Sequence, residues 1–203
     1  MSNDEVAEQS LLKAVPRSVL ERFRPQQEWF AHRGGLGLHG VGHISRVLVW
    51  SQIFVPFGGA LSEEDRRILG WAAAFHDVRR WDDGRDPEHG ERAAEWTMEH
   101  LPRLDAAVDP GHVAYLCRWH FPNDAEAPAM TPLLQVMKDS DGVDRYRFSR
   151  PDAAMLRTSA AKRVQTLAIA EKFCVATGGV GYDNFDSAFD SVIGAAAKLG
   201  LVS

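Results

Sequence analysis

The fold class this chain predicts is an all-α domain, and three observations carry it. Apolar residues recur at helical spacing through most of its 203 residues. Caps and breakers such as Ser62, Asp109, Pro25, Pro122 and the glycines of 34–37 and 178–181 fall between those stretches. Period-two alternation, the mark of a half-buried strand, is almost absent. The length suits a single domain over residues 1–203, with about seven or eight helices.

In chain order, residues 4–30 carry an amphipathic helical pattern broken at Pro16 and Pro25. Arg33 to Gly37 reads as a loop through its glycines. From Val41 to Phe54 the apolar positions Val41, Ile44, Val47 and Leu48 keep helical spacing, with His43 and Arg46 on one face. Pro56 to Gly59 ends that helix. Ser62 is a plausible N-cap before Glu63, Glu64 and Asp65, acids where the helix dipole favours them. That helix runs through Trp71 to Phe75 and closes on His76-Asp77.

Arg79 to Pro87 is a loop dense in Arg and Asp, and a helix over 88–100 follows. Asp109-Pro110 opens the next helix, with Asp as cap and Pro in the first turn, and it stops before Pro122. A short helix from Pro132 through Met137 leads into the polar run of 138–147. Helices over roughly 152–175 and 183–199 close the chain, separated by Gly178 to Gly181 as a terminator or hinge.

Bulk properties exclude several classes. The formal net charge of −5 argues against an extended nucleic-acid-binding surface, while leaving room for a local basic pocket. No apolar run approaches the roughly 18 residues of a membrane helix. The acidic start, Met1 to Glu5, lacks the order of a signal peptide. Cys117 and Cys174 stand far apart and read as buried small residues in a reducing, cytoplasmic setting.

Eight histidines are the compositional oddity, and several stand beside Asp or Gly at helix edges. His43, His76, Asp77 and Asp141 supply two imidazoles and two carboxylates, a mixture suited to Mn, Fe, Co, Ni or Zn rather than Ca or Mg. Such an ion lowers the pKa of its water from about 15.7 to nearer 7. His89 and His120 are open to a role on substrate phosphate or a second metal. His39 reads as an orienting or loop residue, and His32, His100 and His112 as surface residues. Arg46, Arg79, Arg80, Arg85 and Arg145 are candidates for phosphate, whose oxygens a guanidinium matches bidentately.

These motifs resemble the HD-domain superfamily of metal-dependent phosphohydrolases. His39-Gly40-Val41-Gly42-His43-Ile44-Ser45-Arg46-Val47 is similar to the first motif of that family. Ala74-Phe75-His76-Asp77 resembles its name-giving doublet, and Asp139-Ser140-Asp141-Gly142-Val143-Asp144 its closing aspartate motif. The resemblance covers about residues 38–148, with helices on either side packed on that core. It implies an all-α fold, His43, His76, Asp77 and Asp141 as metal ligands, and hydrolysis of a small phosphate ester, a nucleotide above all. In that expectation Asp77 and Arg80 take part in catalysis, and Arg46, Arg79, His89, His120 and Arg145 hold substrate.

The sequence departs from the family where many relatives carry an acid three or four places after the doublet. Arg80 and Trp81 stand there, so Asp82, Asp83 and Asp86 are the replacement candidates for a general acid. Two alternatives follow from the same resemblance. One is a di-iron oxygenase of the kind that includes myo-inositol oxygenase, with four histidines and two aspartates in one order. The other is a nucleotide-sensing domain without catalysis. Exposed tryptophans leave a homodimer face open.

Overall fold

A computed structural model of the chain describes residues 12–178 and 184–203. Among these residues it is all-α, with no strand and one isolated parallel bridge between Val15 and Val202. The helices are α1 (Arg17–Glu21), α2 (Val41–Phe54), α3 (Glu63–Phe75), α4 (His89–Leu104), α5 (Pro110–Trp119), α6 (Pro132–Val143), α7 (Ser159–Lys162), α8 (Val164–Ala176) and α9 (Phe185–Lys198). Short 3₁₀ turns link them, including Asp144–Arg147 directly after α6 and Ala153–Met155 before α7.

α2 is the central element. All of its residues are buried, and α3, α6 and α9 pack around it. A helix enclosed on every side must be apolar all round or satisfy its polar groups internally. Ser45 donates to Val41 O at 2.6 Å and Ser51 to Leu48 O at 2.8 Å, while the Gln52 amide donates to Arg66 O at 3.2 Å. At its N-cap, a Cβ on Gly40 would lie 2.0 Å from the Gly35 carbonyl oxygen, so only glycine lets the entering loop fold so closely.

α3 begins as expected. Ser62 and Asp65 form a reciprocal capping box, the Ser62 hydroxyl accepting from Asp65 N at 3.1 Å and the Asp65 carboxylate from Ser62 N at 2.8 Å. The helix then buries Ile68 to Phe75. Trp29, Trp71, Phe75 and Trp96 cluster behind its last turns with centroids 5.0 to 6.4 Å apart, Trp71 stacked on Phe75 and the other pairs edge-to-face or tilted. Of the six tryptophans only Trp81 is exposed, and the Arg92 guanidinium lies over its ring.

Three expectations are corrected. The helical pattern of 4–30 yields only α1 and a 3₁₀ turn at Gln27–Trp29 within the described part, because Pro16 and Pro25 bracket too short a stretch; residues 4–11 lie outside the described residues. The segment expected over 152–175 splits into α7 and α8, with 152–158 outside α-helix, while that over 183–199 is the single helix α9; of the glycine run, 179–181 lie outside the described residues. α6 continues six residues beyond Met137, so Asp139 and Asp141 sit on helix rather than loop. The extension is stabilised by Asp139, whose buried carboxylate accepts from Arg157 N at 2.8 Å and Thr158 N at 2.6 Å.

Candidate metal centre

α2, α3, α4, α5 and α6 aim side chains at one point beside the C-terminal end of α3. His43 comes from the first turn of α2, and His76 and Asp77 immediately follow α3. His89 opens α4, His120 caps the end of α5, and Asp141 lies in the last turn of α6. His43, His76, Asp77, His89 and His120 are all buried, and Asp141 is partly so. α4 and α5 approach closely because residue 90 is glycine: a Cβ there would lie 2.7 Å from Cys117 O and 3.0 Å from Arg118 O. That contact sets His89 against His120.

The protonation pattern of the four histidines follows from their partners. His76 Nδ1 lies 2.9 Å from Ala73 O, His120 Nδ1 2.7 Å from Cys117 O, and His89 Nδ1 against Asp86 O. His43 Nδ1 lies 2.7 Å from Asp144 Oδ2. Carbonyl and carboxylate oxygens only accept, so in a neutral ring the Nδ1 of His43, His76 and His120 donates and Nε2 keeps its lone pair. His89 differs: its Nδ1 also lies 3.3 Å from an Arg80 Nη1, and although burial would lower its pKa, Asp77 outweighs that and raises it. Burial keeps His76 neutral, pushing its pKa down to about 3.

The Nε2 atoms face one another in pairs. The Nε2 atoms of His43 and His76 are 3.1 Å apart, and those of His89 and His120 are 3.0 Å apart. Where both nitrogens of such a pair are unprotonated, they repel at that distance unless a cation lies beside both. Two imidazoles bound at about 2.1 Å to one tetrahedral ion would have their nitrogens about 3.4 Å apart, close to these separations. The separations therefore fit shared cations.

Asp77 serves both pairs. Its Oδ2 lies 3.4 Å from His43 Nε2 and 3.8 Å from His76 Nε2; its Oδ1 lies 3.1 Å from His89 Nε2 and 3.7 Å from His120 Nε2. Oδ1 is buried and has no hydrogen-bond partner among the described residues. Burial would raise the Asp77 pKa, but the imidazoles around it, His76 foremost, outweigh it and hold the carboxyl ionised. Asp141 Oδ1 sits 3.4 Å from His43 Nε2. Ligand atoms of His43, His76 and Asp141, and separately of His76, Asp77 and His120, lie within 4.8 Å of one another, so the cluster fits a metal ion by donor type and spacing.

Around these residues stands a ring of orienting groups. Asp144 holds His43 and is itself held by Arg46, whose Nε lies 2.6 Å and Nη2 3.1 Å from its oxygens. This carboxylate–histidine pairing is what metal-binding imidazoles ordinarily show. The sequence contained Asp144 but not this role. His39 Nδ1 lies 2.8 Å from Asp77 Oδ2, and His39, His43 and Asp77 form a further group of ligand atoms within 4.8 Å of one another.

The arginines sort by geometry. Arg46 is buried, with contacts to Asp144 and Thr177, so it braces His43 and has no access to a substrate; this corrects its expected role. Arg79 donates to Trp29 O at 3.1 Å and lines neither cavity described below, a second correction. Arg80 lies 3.7 Å from Asp77 Oδ1 and borders the centre. Arg145 is exposed at its mouth.

Sequence reasoning missed Arg147. Its side chain is 4% exposed, its Nη2 is 4.0 Å from Asp141 Oδ1, and its guanidinium lies 4.5 Å from the Phe148 ring centre. Its Nε has no partner among the described residues. Only the 3₁₀ turn after α6 brings it there. The candidate acids are occupied: Asp82 caps Gly84 N at 2.7 Å, Asp83 accepts from His39 N at 3.3 Å, and Asp86 binds Arg92 and Trp81 N.

A small cavity of about 170 Å³ opens over the centre, bordered by Asp77, Arg80, His89, His120, Asp141 and Arg147. Half-exposed Phe121 and Phe148 also line it. Among the described residues no helix is long and apolar enough to cross a membrane. Compared with protein-family models, curated proteins and solved structures, the chain shows no match.

Proposed function

We propose that the chain is a metal-dependent phosphohydrolase of HD type that acts on a small phosphate ester, with a nucleotide as the favoured class. The observation that carries the metal reading is the set of four imidazoles, each with Nδ1 committed to an acceptor and Nε2 turned on Asp77. His43, His76, Asp77 and Asp141 would hold one divalent ion; Asp77, His89 and His120 offer a place for a second. When bound, such ions supply hydroxide at neutral pH and a Lewis acid for a phosphoryl oxygen.

The chain's own residues do the rest. Arg80 and Arg147 border the cavity beside Asp77 and Asp141 and would carry negative charge on the phosphoryl oxygens. Arg145 meets the ester at the mouth, and Phe121 and Phe148 keep bulk water off the reacting centre. Asp82, Asp83 and Asp86 are tied into the loop, so protonation of the leaving oxygen falls to solvent or to a histidine N–H.

The test is turnover of nitrophenyl phosphates and a nucleotide panel by protein reconstituted with Mn, Fe, Co, Ni or Zn. Asp77→Ala should abolish turnover and release metal. No turnover on any ester with any metal would refute the hydrolase. The partition of four histidines between the two oxygens of Asp77 also favours a di-iron oxygenase as second reading. Iron content near two per chain in protein purified without added metal, with a di-iron Mössbauer signature, supports that chemistry; one ion per chain and no iron eliminates it.

A further inference from the structure

Beside the metal centre lies a second, larger cavity of about 670 Å³. It shares His120, Phe121, Asp141 and Arg145 with the small cavity, so the two meet at residues of both halves of the metal cluster. Its walls are two segments fastened to α6. The Lys138 ammonium is buried, donates to Pro122 O and lies 3.2 Å from Asp124 Oδ1, fixing the stretch after α5. Asp139 fixes the segment before α7 through Arg157 N and Thr158 N. Thus one helix carries Asp141 and anchors both walls.

The cations of this cavity divide into two kinds. Lys138 and Arg157 both pair with Asp124. Arg145, which lines both cavities, and Arg150, which lines only the larger, are exposed and have no ion pair or side-chain hydrogen bond among the described residues. Of the acids, Asp124 is thus doubly compensated, Asp141 faces the metal cluster, and Asp152 caps Ala154 N at 2.8 Å. Two unpaired guanidiniums facing a space of ligand size invite an anion with an organic body.

Resting on the hydrolase reading, we infer that the larger cavity takes the leaving group and that this group carries its own negative charge. The substrate is then a phosphate ester with a second anionic group, its reacting phosphate over Asp77 and its far anion on Arg150, with Arg145 between. Hydrolysis forms one P–O bond to water and breaks the ester P–O bond. The proton from water ends on the departing oxygen, and the products are inorganic phosphate and an anionic alcohol.

The experiment compares kcat/KM for 4-carboxyphenyl phosphate and its uncharged isostere 4-carbamoylphenyl phosphate on the metal-reconstituted full chain. Differences in intrinsic reactivity cancel when the ratio is compared between wild type and variant. Arg150→Ala should lower the preference for the carboxylate ester about tenfold, the scale of one charge-assisted contact, and Arg150→Lys should restore most of it. An unchanged ratio overturns the anion subsite while leaving the hydrolase standing. Should neither ester turn over, a second measurement decides the subsite, and the nucleotide panel decides the hydrolase. Calorimetric binding of inorganic pyrophosphate to metal-free protein should be about tenfold weaker in Arg150→Ala, and equal affinity overturns the inference.

Discussion

Replacing Asp144 with Asn isolates the orienting shell from the metal ligands it serves. The Asp144 carboxylate meets His43 Nδ1 at 2.7 Å, Arg46 Nε at 2.6 Å and Nη2 at 3.1 Å, and Arg147 Nη1 at 3.2 Å. Burial would raise its pKa, but Arg46 and His43 outweigh that and hold it well below the carboxylate range. Asparagine is nearly isosteric, yet it has one acceptor oxygen, and its amide N–H₂ would face a donor whichever way it turned.

Two losses follow. The buried Arg46 charge loses its carboxylate, which costs about 3–5 kcal/mol when a buried pair is broken from one side. The His43 ring loses the charged acceptor that fixes its tautomer, which typically lowers metal affinity about 10–100-fold. A domain in the middle or upper part of the ordinary range of about 5–15 kcal/mol still folds under that loss. Urea unfolding of the metal-free protein reads the first effect, and direct metal titration reads the second. A stability change under about 1 kcal/mol, with affinity within about twofold of wild type, would refute the reasoning.

Three further outcomes are expected. Gly90→Ala drives a Cβ into Cys117 O and Arg118 O, so α4 must move off α5; thermal stability should drop by about 1–3 kcal/mol, and metal analysis should show weaker binding on the His89–His120 side. Ser62→Ala removes the capping box and should cost about 1 kcal/mol in denaturant unfolding with metal uptake unchanged, because Ser62 stands at the far end of α3 from His76. Burial would raise the Asp105 pKa, but hydrogen bonds from Arg67 and Trp71 outweigh it and lower it. Its contribution is therefore complete above the unfolded carboxylate pKa and lost as pH falls through the lower folded value, so Asp105→Asn should flatten the acid limb of stability against pH.

Local patterns were legible because local forces produce them. The spacing of Val41 to Phe54 predicts α2 to the residue, and Ser62 with Asp65 predicts the start of α3, since side-chain period and capping act within a few residues. His43 and Arg46 were rightly placed on one face, but the partner of that face is Asp144, 98 residues beyond Arg46. The same distance hides the inward turn of Arg46. The end of α6 was misjudged because its polar residues look like loop, while Asp139 is buried by a segment 18 residues further on.

By itself, the amino-acid order determined where most helices run and which side chains have the chemistry to bind a metal. Only tertiary packing decided that His89 and His120 face each other across Asp77. Their meeting depends on how closely α4 and α5 approach, and that is set where the backbone of Gly90 lies against Cys117 and Arg118. Ligand identity is a property of single residues, whereas ligand convergence is a property of interfaces between helices.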